Sequence, residues 1–123
     1  MARRVLVVDD HHAALGYALA VLRHAGFEVE GAINIAEVVA CLERGHPDAL
    51  LVDVQMPELD GDQLVRFLRD VYKVRAPIVL LSVMEEPELA ELARRSGADG
   101  YVRKGSAIAA LPAAIEAAIA RRA

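Results

Sequence analysis

Five polar side chains stand at the ends of four apolar runs, and their types suit the chemistry of a divalent cation and a phosphoryl group. Asp9 and Asp10 follow Val5 to Val8, Asp53 follows Ala49 to Val52, Ser82 follows Ile78 to Leu81, and Lys104 follows Tyr101 to Arg103. Three carboxylates sharing one crevice repel, and without compensation at least one would keep its proton. A cation removes the conflict. Oxygen ligands from aspartates and backbone carbonyls favour a hard ion, and two or three carboxylates with open positions suit Mg²⁺, or Mn²⁺, that keeps waters and binds a phosphoryl group. Lys104 adds a mobile ammonium and Ser82 a hydrogen-bond donor. Asp53 is then a carboxylate nucleophile able to form an acyl phosphate.

For these residues to meet, the four runs must be neighbouring parallel strands. Val5 to Val8 and Ala49 to Val52 are continuous aliphatic runs, as strands buried on both faces require. Phe27 to Ala32 alternates more and is expected at a sheet edge. Between the runs lie helical patterns: Leu15, Ala18, Leu19 and Leu22 ending at Gly26; Ile35, Val38, Val39 and Leu42 behind an Asn34 cap; Leu64, Phe67, Leu68 and Val71; Leu89, Leu92 and Ala93 with Pro87 near the start; and Ile108 or Leu111 with Ile115 and Ile119. Pro112 lacks an N–H and fits only a first turn, so the last regular helix is expected to begin nearer Ala109 than Ser106. The fourth helix has the thinnest apolar face and is expected to be the most loosely held. Strand and helix alternate five times, the signature of an α/β fold with right-handed crossovers, and in such sheets the chemistry collects at the carboxyl ends of the strands.

With 123 residues the chain is expected to be one domain over residues 1–123 with no output domain. A net charge of −4 argues against a nucleic-acid surface, and no apolar run is long enough to cross a bilayer. The lone Cys41 excludes an internal disulfide and is expected to be a small core or boundary side chain. A cytoplasmic location follows as the default. His11 and His12 beside the acidic pair invite a transition-metal site. They sit next to each other at a strand-to-helix junction and are expected to project in different directions, so neither is counted as a ligand. Met56 and Met84 are expected to pack around the pocket.

Taken in order, Val5-Leu6-Val7-Val8-Asp9-Asp10, Leu51-Val52-Asp53-Val54-Gln55-Met56-Pro57 with Gly61, Ile78-Val79-Leu80-Leu81-Ser82 and Gly97-Ala98-Asp99-Gly100-Tyr101-Val102-Arg103-Lys104 resemble the receiver domain of two-component response regulators, the CheY-like superfamily. The resemblance implies a flavodoxin-like doubly wound fold: a five-stranded parallel sheet, order 2-1-3-4-5, with five helices. It implies that Asp53 is phosphorylated by a histidine kinase, a phosphotransfer protein or a small phosphodonor. Asp9, Asp10, Asp53 and the Gln55 backbone carbonyl would hold Mg²⁺, Ser82 and Lys104 would grip the phosphoryl group, and Ser82 and Tyr101 would form the switch. A downstream protein would then bind the face made by the fourth helix, fifth strand and fifth helix, and a homodimer formed on phosphorylation is compatible with the sequence.

Twelve arginines against two lysines, Lys73 and Lys104, support Lys104 separately, because a compact ammonium fits a crowded phosphate pocket differently from a planar guanidinium. Two residues depart from the family pattern. Val83 replaces the usual Ala or Gly and is expected to narrow access to Asp53. Gly105 replaces a common proline, so the loop after Lys104 is not settled by the resemblance. The expected role is a signalling phosphoacceptor, catalysing only its own phosphoryl transfer and slow autodephosphorylation. The alternative is a pseudo-receiver, a protein interaction module that never carries phosphate. A phosphatase of the haloacid dehalogenase type fits poorly, since it needs two aspartates two residues apart after its first strand, whereas Asp9 and Asp10 are adjacent.

Overall fold

The computed structural model describes residues 2–122. They run as β1 (Arg4–Val8), α1 (His12–His24), β2 (Glu28–Ala32), α2 (Ile35–Glu43), β3 (Ala49–Asp53), α3 (Gly61–Asp70), β4 (Ile78–Ser82), α4 (Glu86–Ser96), β5 (Gly100–Arg103), a 3₁₀ segment (Ser106–Ala110) and α5 (Leu111–Arg122). The strands form one parallel sheet in the order β2-β1-β3-β4-β5, the expected topology with β2 at an edge. The chain steps outward from β1 to β2 and then back across β1 to β3, so the carboxyl ends of β1 and β3 meet where the direction of winding reverses. Val8 pairs with Val52 there, and the next residues on the two strands are Asp9 and Asp53.

Alternation along each strand divides the core. Leu6, Val8, Leu50, Val52, Ile78 and Leu80 pack under α2, α3 and α4, while Val5, Val7, Ala49, Leu51, Val79 and Leu81 pack under α1 and α5. Asn34 caps α2 by accepting from the Glu37 N–H at 2.9 Å, as its type predicts. The start of α3 holds a full capping box, with Asp60 accepting from Gln63 N–H at 2.8 Å and Gln63 accepting from Asp60 N–H at 3.1 Å. Cys41 is buried. No helix among the described residues is long and apolar enough to cross a membrane.

Two expectations change, those for Val71 and for α4, while that for the last helix is met. Val71 is 61% exposed, because α3 ends at Asp70 and the chain has already turned; Val65 takes the inward position instead. The last α-helix begins at Leu111, behind a 3₁₀ segment, which puts Pro112 in its first turn. The apolar face of α4 is narrow as expected, yet Leu89, Leu92 and Ala93 are buried with Ser96, against three buried residues in each of α1 and α2. Its end is also secured by Gly97, at φ +82, and by the Ala98 N–H donating to Ala93 O at 3.0 Å. Thinness of the apolar face therefore does not single out α4 as loosely held.

At the far edge, Asp99 fixes the entry to β5. Its Oδ2 accepts from Ile78 N–H and from Arg69, both at 2.8 Å, and its Oδ1 from Arg122 Nε at 2.9 Å. Its own N–H donates to Ile78 O at 2.7 Å. One carboxylate thus joins α3, β4 and α5 and sets the strand that carries Lys104.

Candidate functional site

The two central aspartates are held in the same way. Asp9 Oδ1 accepts the His11 N–H at 2.9 Å, and Asp53 Oδ1 accepts the Gln55 N–H at 3.1 Å, so each carboxylate is fixed by the backbone two residues on. Both side chains are buried; no backbone N–H reaches either Oδ2, and that of Asp53 has no hydrogen-bond partner. Lys104 Nζ lies 3.1 Å from Asp9 Oδ2 and 3.5 Å from Asp53 Oδ2, within ion-pairing range of both. The Lys104 backbone N–H donates to Ser82 O at 2.8 Å, which sets the lysine at the end of β4 as well as β5.

Burial pushes the Asp53 carboxyl above its ordinary range, and the charge of Asp9 adds to the push; the Gln55 N–H and Lys104 hold it back only in part. Burial acts on Asp9 too, but the His11 N–H and Lys104 outweigh it, and Asp9 falls below the ordinary range. The crowding inferred from the sequence is therefore present. Two buried carboxylates share the single charge of Lys104, Asp53 Oδ2 has no hydrogen bond, and a hard cation offsets the negative charge that remains. The donor set of Asp9, Asp10 and Asp53 fits Mg²⁺ on these grounds. Gln55, whose carbonyl completes the expected set, is held by a bridge to Asp60.

The response regulator receiver domain family matches residues 5–116. This chain belongs to that family. The receiver is 36% identical over 119 residues to the transcriptional regulatory protein PrrA of Mycobacterium tuberculosis, covering 97% of this chain and 51% of that protein. It is 36% identical over 120 residues to the transcriptional regulatory protein PdtaR of the same species, covering 97% and 58%. The chain thus spans a little over half the length of these curated relatives. Among solved structures, a putative response regulator from Chloroflexus aurantiacus superposes with TM-score 0.87 at 28% identity, covering 98% of this chain and 100% of the other. The chemotaxis response regulator CheY4 of Vibrio cholerae gives 0.80 at 27% identity, with both chains fully covered. Receivers of response regulators are the phosphoacceptor modules of two-component signalling, and they typically bind Mg²⁺ at an acidic pocket.

The remaining predicted residues of the receiver surround this centre. Ser82 is buried at the end of β4; its Oγ accepts the Met84 N–H at 3.0 Å and makes no hydrogen bond to the carboxylates. Tyr101 is half-buried on β5, and its hydroxyl donates to Glu86 Oε1 at 2.9 Å, which keeps the ring toward α4 at the surface. Val83 is 60% exposed beside Ser82. Met56 is buried and Met84 partly so, both against the core under α2 to α4. The Lys104–Gly105 bond is trans, and Gly105 has φ +90, a conformation that favours glycine and explains the departure from the family pattern at that position.

His11, not counted as a ligand from the sequence, lies against the acids. Its Nδ1 stands 3.1 Å from Asp10 Oδ1, 3.2 Å from Asp9 Oδ1 and 3.6 Å from Asp53 Oδ2. The same turn that brings the His11 N–H to Asp9 folds its ring back over the acids, while His12 has begun α1. Arg103 was also not assigned a task from the sequence. It donates from Nε to Met84 O at 2.9 Å and reaches Glu85 at 3.7 Å, tying β5 to the loop after Ser82.

Proposed function

We propose that this receiver is phosphorylated on Asp53 in the presence of Mg²⁺ held by Asp9, Asp10, Asp53 and the Gln55 carbonyl, and that phosphorylation alters the α4, β5 and α5 face for a partner protein. The supporting observation is the state of Asp53: Oδ1 tied to a backbone N–H at 3.1 Å, Oδ2 buried without a partner, and Lys104 Nζ 3.5 Å from it. A nucleophile held this way gives up little freedom on attack. Asp53 Oδ2 attacks the phosphorus of a phosphohistidine on a histidine kinase or phosphotransfer protein, or of a small phosphodonor. The oxygen–phosphorus bond of the acyl phosphate forms, the bond from phosphorus to the donor breaks, and its electron pair leaves with the donor. Mg²⁺ held by Asp9, Asp10, Asp53 and the Gln55 carbonyl would supply positive charge at this centre. Lys104 pairs with one phosphoryl oxygen, and the Ser82 hydroxyl, now an acceptor, keeps its proton for another.

The route to the surface runs through Met84. Its N–H is bound by Ser82 Oγ and its carbonyl by Arg103 Nε, so a Ser82 drawn toward the phosphate releases the first contact and loads the second. Tyr101 then leaves Glu86. Glu86, Tyr101, Arg103, Lys104, Ala110 and Ala113 line one concavity on this face, which is where a partner would sense the change.

The test is incubation with Mg²⁺ and acetyl phosphate at saturation, with Asp53→Asn as control. A mass gain of one phosphoryl group at Asp53, stable in acid and labile in base, is expected. No gain in the wild type would overturn the proposal in favour of a phosphorylation-independent interaction module, and multiple turnover on phosphate esters would overturn it in favour of a phosphatase.

A further inference from the structure

Mg²⁺ takes imidazole poorly, whereas Co²⁺, Ni²⁺ and Zn²⁺ take it well. The acidic centre of this chain carries an imidazole at its edge. His11 Nδ1 lies 3.1, 3.2 and 3.6 Å from one oxygen each of Asp10, Asp9 and Asp53. Ligands at about 2.1 Å around one octahedral ion stand about 3 Å apart across adjacent vertices, so Nδ1 has the spacing of a fellow ligand to these carboxylates. The four ligand atoms available from Asp9, Asp10, His11 and Asp53 all lie within 4.8 Å of one another. Two further features point to an ion. The Oδ2 atom of Asp53, on a side chain 1% exposed, has no hydrogen-bond partner and stands 3.5 Å from Lys104 Nζ. The His11 side chain is 63% exposed while its Nδ1 faces the carboxylates, so an ion can reach that nitrogen without the ring leaving its place.

We propose that His11 is a ligand of this site through Nδ1, making it a mixed nitrogen and oxygen centre that selects borderline divalent ions such as Co²⁺ and Ni²⁺ over Mg²⁺. The proposal rests on reading the three aspartates as a cation site. It changes which ion fills that site in a mixture: Mg²⁺ binds through oxygen alone, while a borderline ion gains one further bond.

The experiment is calorimetric titration of the full chain with Mg²⁺, Co²⁺ and Ni²⁺, comparing wild type with His11→Ala and His12→Ala. His11 makes no side-chain cap to α1 and is exposed, so the substitution leaves the fold intact, which a thermal melt verifies. His11→Ala is expected to weaken Co²⁺ and Ni²⁺ by about tenfold or more, since even outer-shell partners of metal ligands are worth that much. Mg²⁺ affinity stays within about twofold, because the hard ion gains little from imidazole, and His12→Ala changes nothing. Spin-echo spectroscopy of the Mn²⁺ form is expected to show nitrogen coupling in the wild type and none in His11→Ala. Equal weakening of all ions, or tighter Mg²⁺ binding with Co²⁺ and Ni²⁺ unchanged, would show that His11 only hydrogen-bonds the acids and would overturn the proposal alone. Absence of any divalent binding in the wild type would overturn the cation site itself.

Discussion

Adding one methyl group at Gly61 probes how the acidic loop is held. A Cβ there would stand 2.7 Å from both Cβ and Cγ1 of Val54 and 3.2 Å from its Cα. Carbon atoms in good contact sit about 3.5 to 4.0 Å apart, so roughly 1 Å must be found. Val54 cannot yield it freely. It is 5% exposed in the core, and its carbonyl accepts the Gly61 N–H at 3.1 Å. Overpacking of this kind costs about 1 to 3 kcal/mol, and the strained hydrogen bond adds about 1. The better helix propensity of Ala returns about 0.5 to 1 kcal/mol. For a domain of this size about 4 °C of melting temperature corresponds to 1 kcal/mol, so Gly61→Ala is expected to melt about 4 to 14 °C below wild type. The displaced segment carries Gln55, so Mg²⁺ affinity should fall with it. Gly16 provides the opposite case. It lies exposed inside α1, and a Cβ there meets nothing within 4 Å. The same substitution should raise stability by about 0.5 to 1 kcal/mol. Circular dichroism melts and ion titrations on both variants check the pair. A Gly61→Ala protein melting within about 1 °C of wild type, with unchanged ion affinity, would refute the claim that close approach demands glycine there.

Other substitutions test other parts of the structure. Asp53→Asn, free of divalent ions at neutral pH, should gain about 1 to 3 kcal/mol in a denaturant titration, because it removes a buried charge with an unpartnered oxygen; a loss would contradict the crowding described. Asp99→Ala strands Arg69 and the Ile78 N–H, and should lose about 2 to 4 kcal/mol in the same assay, whereas a loss below about 0.5 would show the network to be idle. Hydrogen bonds from Arg44 and Arg4 hold the Glu30 carboxyl below its ordinary range. Its stabilisation is therefore present above the unfolded-state pKa and lost as pH falls through the folded one. Glu30→Gln should remove that acid-side slope, by no more than about 1 kcal/mol at a partly exposed site; an unchanged pH profile of unfolding would count against it. Val83→Ala should speed both phosphorylation by acetyl phosphate and dephosphorylation severalfold with little change in stability, since the side chain is exposed beside Ser82; equal rates would show that it does not guard the site.

Much of the architecture was legible in the chain because its signals are local. Continuous aliphatic runs ending in acids, helical spacing between them and caps such as Asn34 report the βα order directly, and strand ends carry Asp9, Asp53, Ser82 and Lys104 to one rim in a parallel sheet. Less local features were missed. The bridge from Gln55 to Asp60 needs the loop from Met56 to close, Val71 faces out because α3 ends one residue before it, and the Asp99 network joins residues from distant parts of the chain.

Residue order and type were enough to determine the fold class, the strand ends and the list of groups able to bind an ion and a phosphoryl group. Their orientation was decided by the tertiary structure. Asp9 and Asp53 each use one oxygen on a backbone N–H and turn the other toward Lys104, because β1 and β3 are paired in register and both turns close the same way. That closure also brings His11 back over the carboxylates, a direction its position in sequence did not fix. A direction in space depends on the dihedral angles of a turn, and those are set by which partners the fold places within reach.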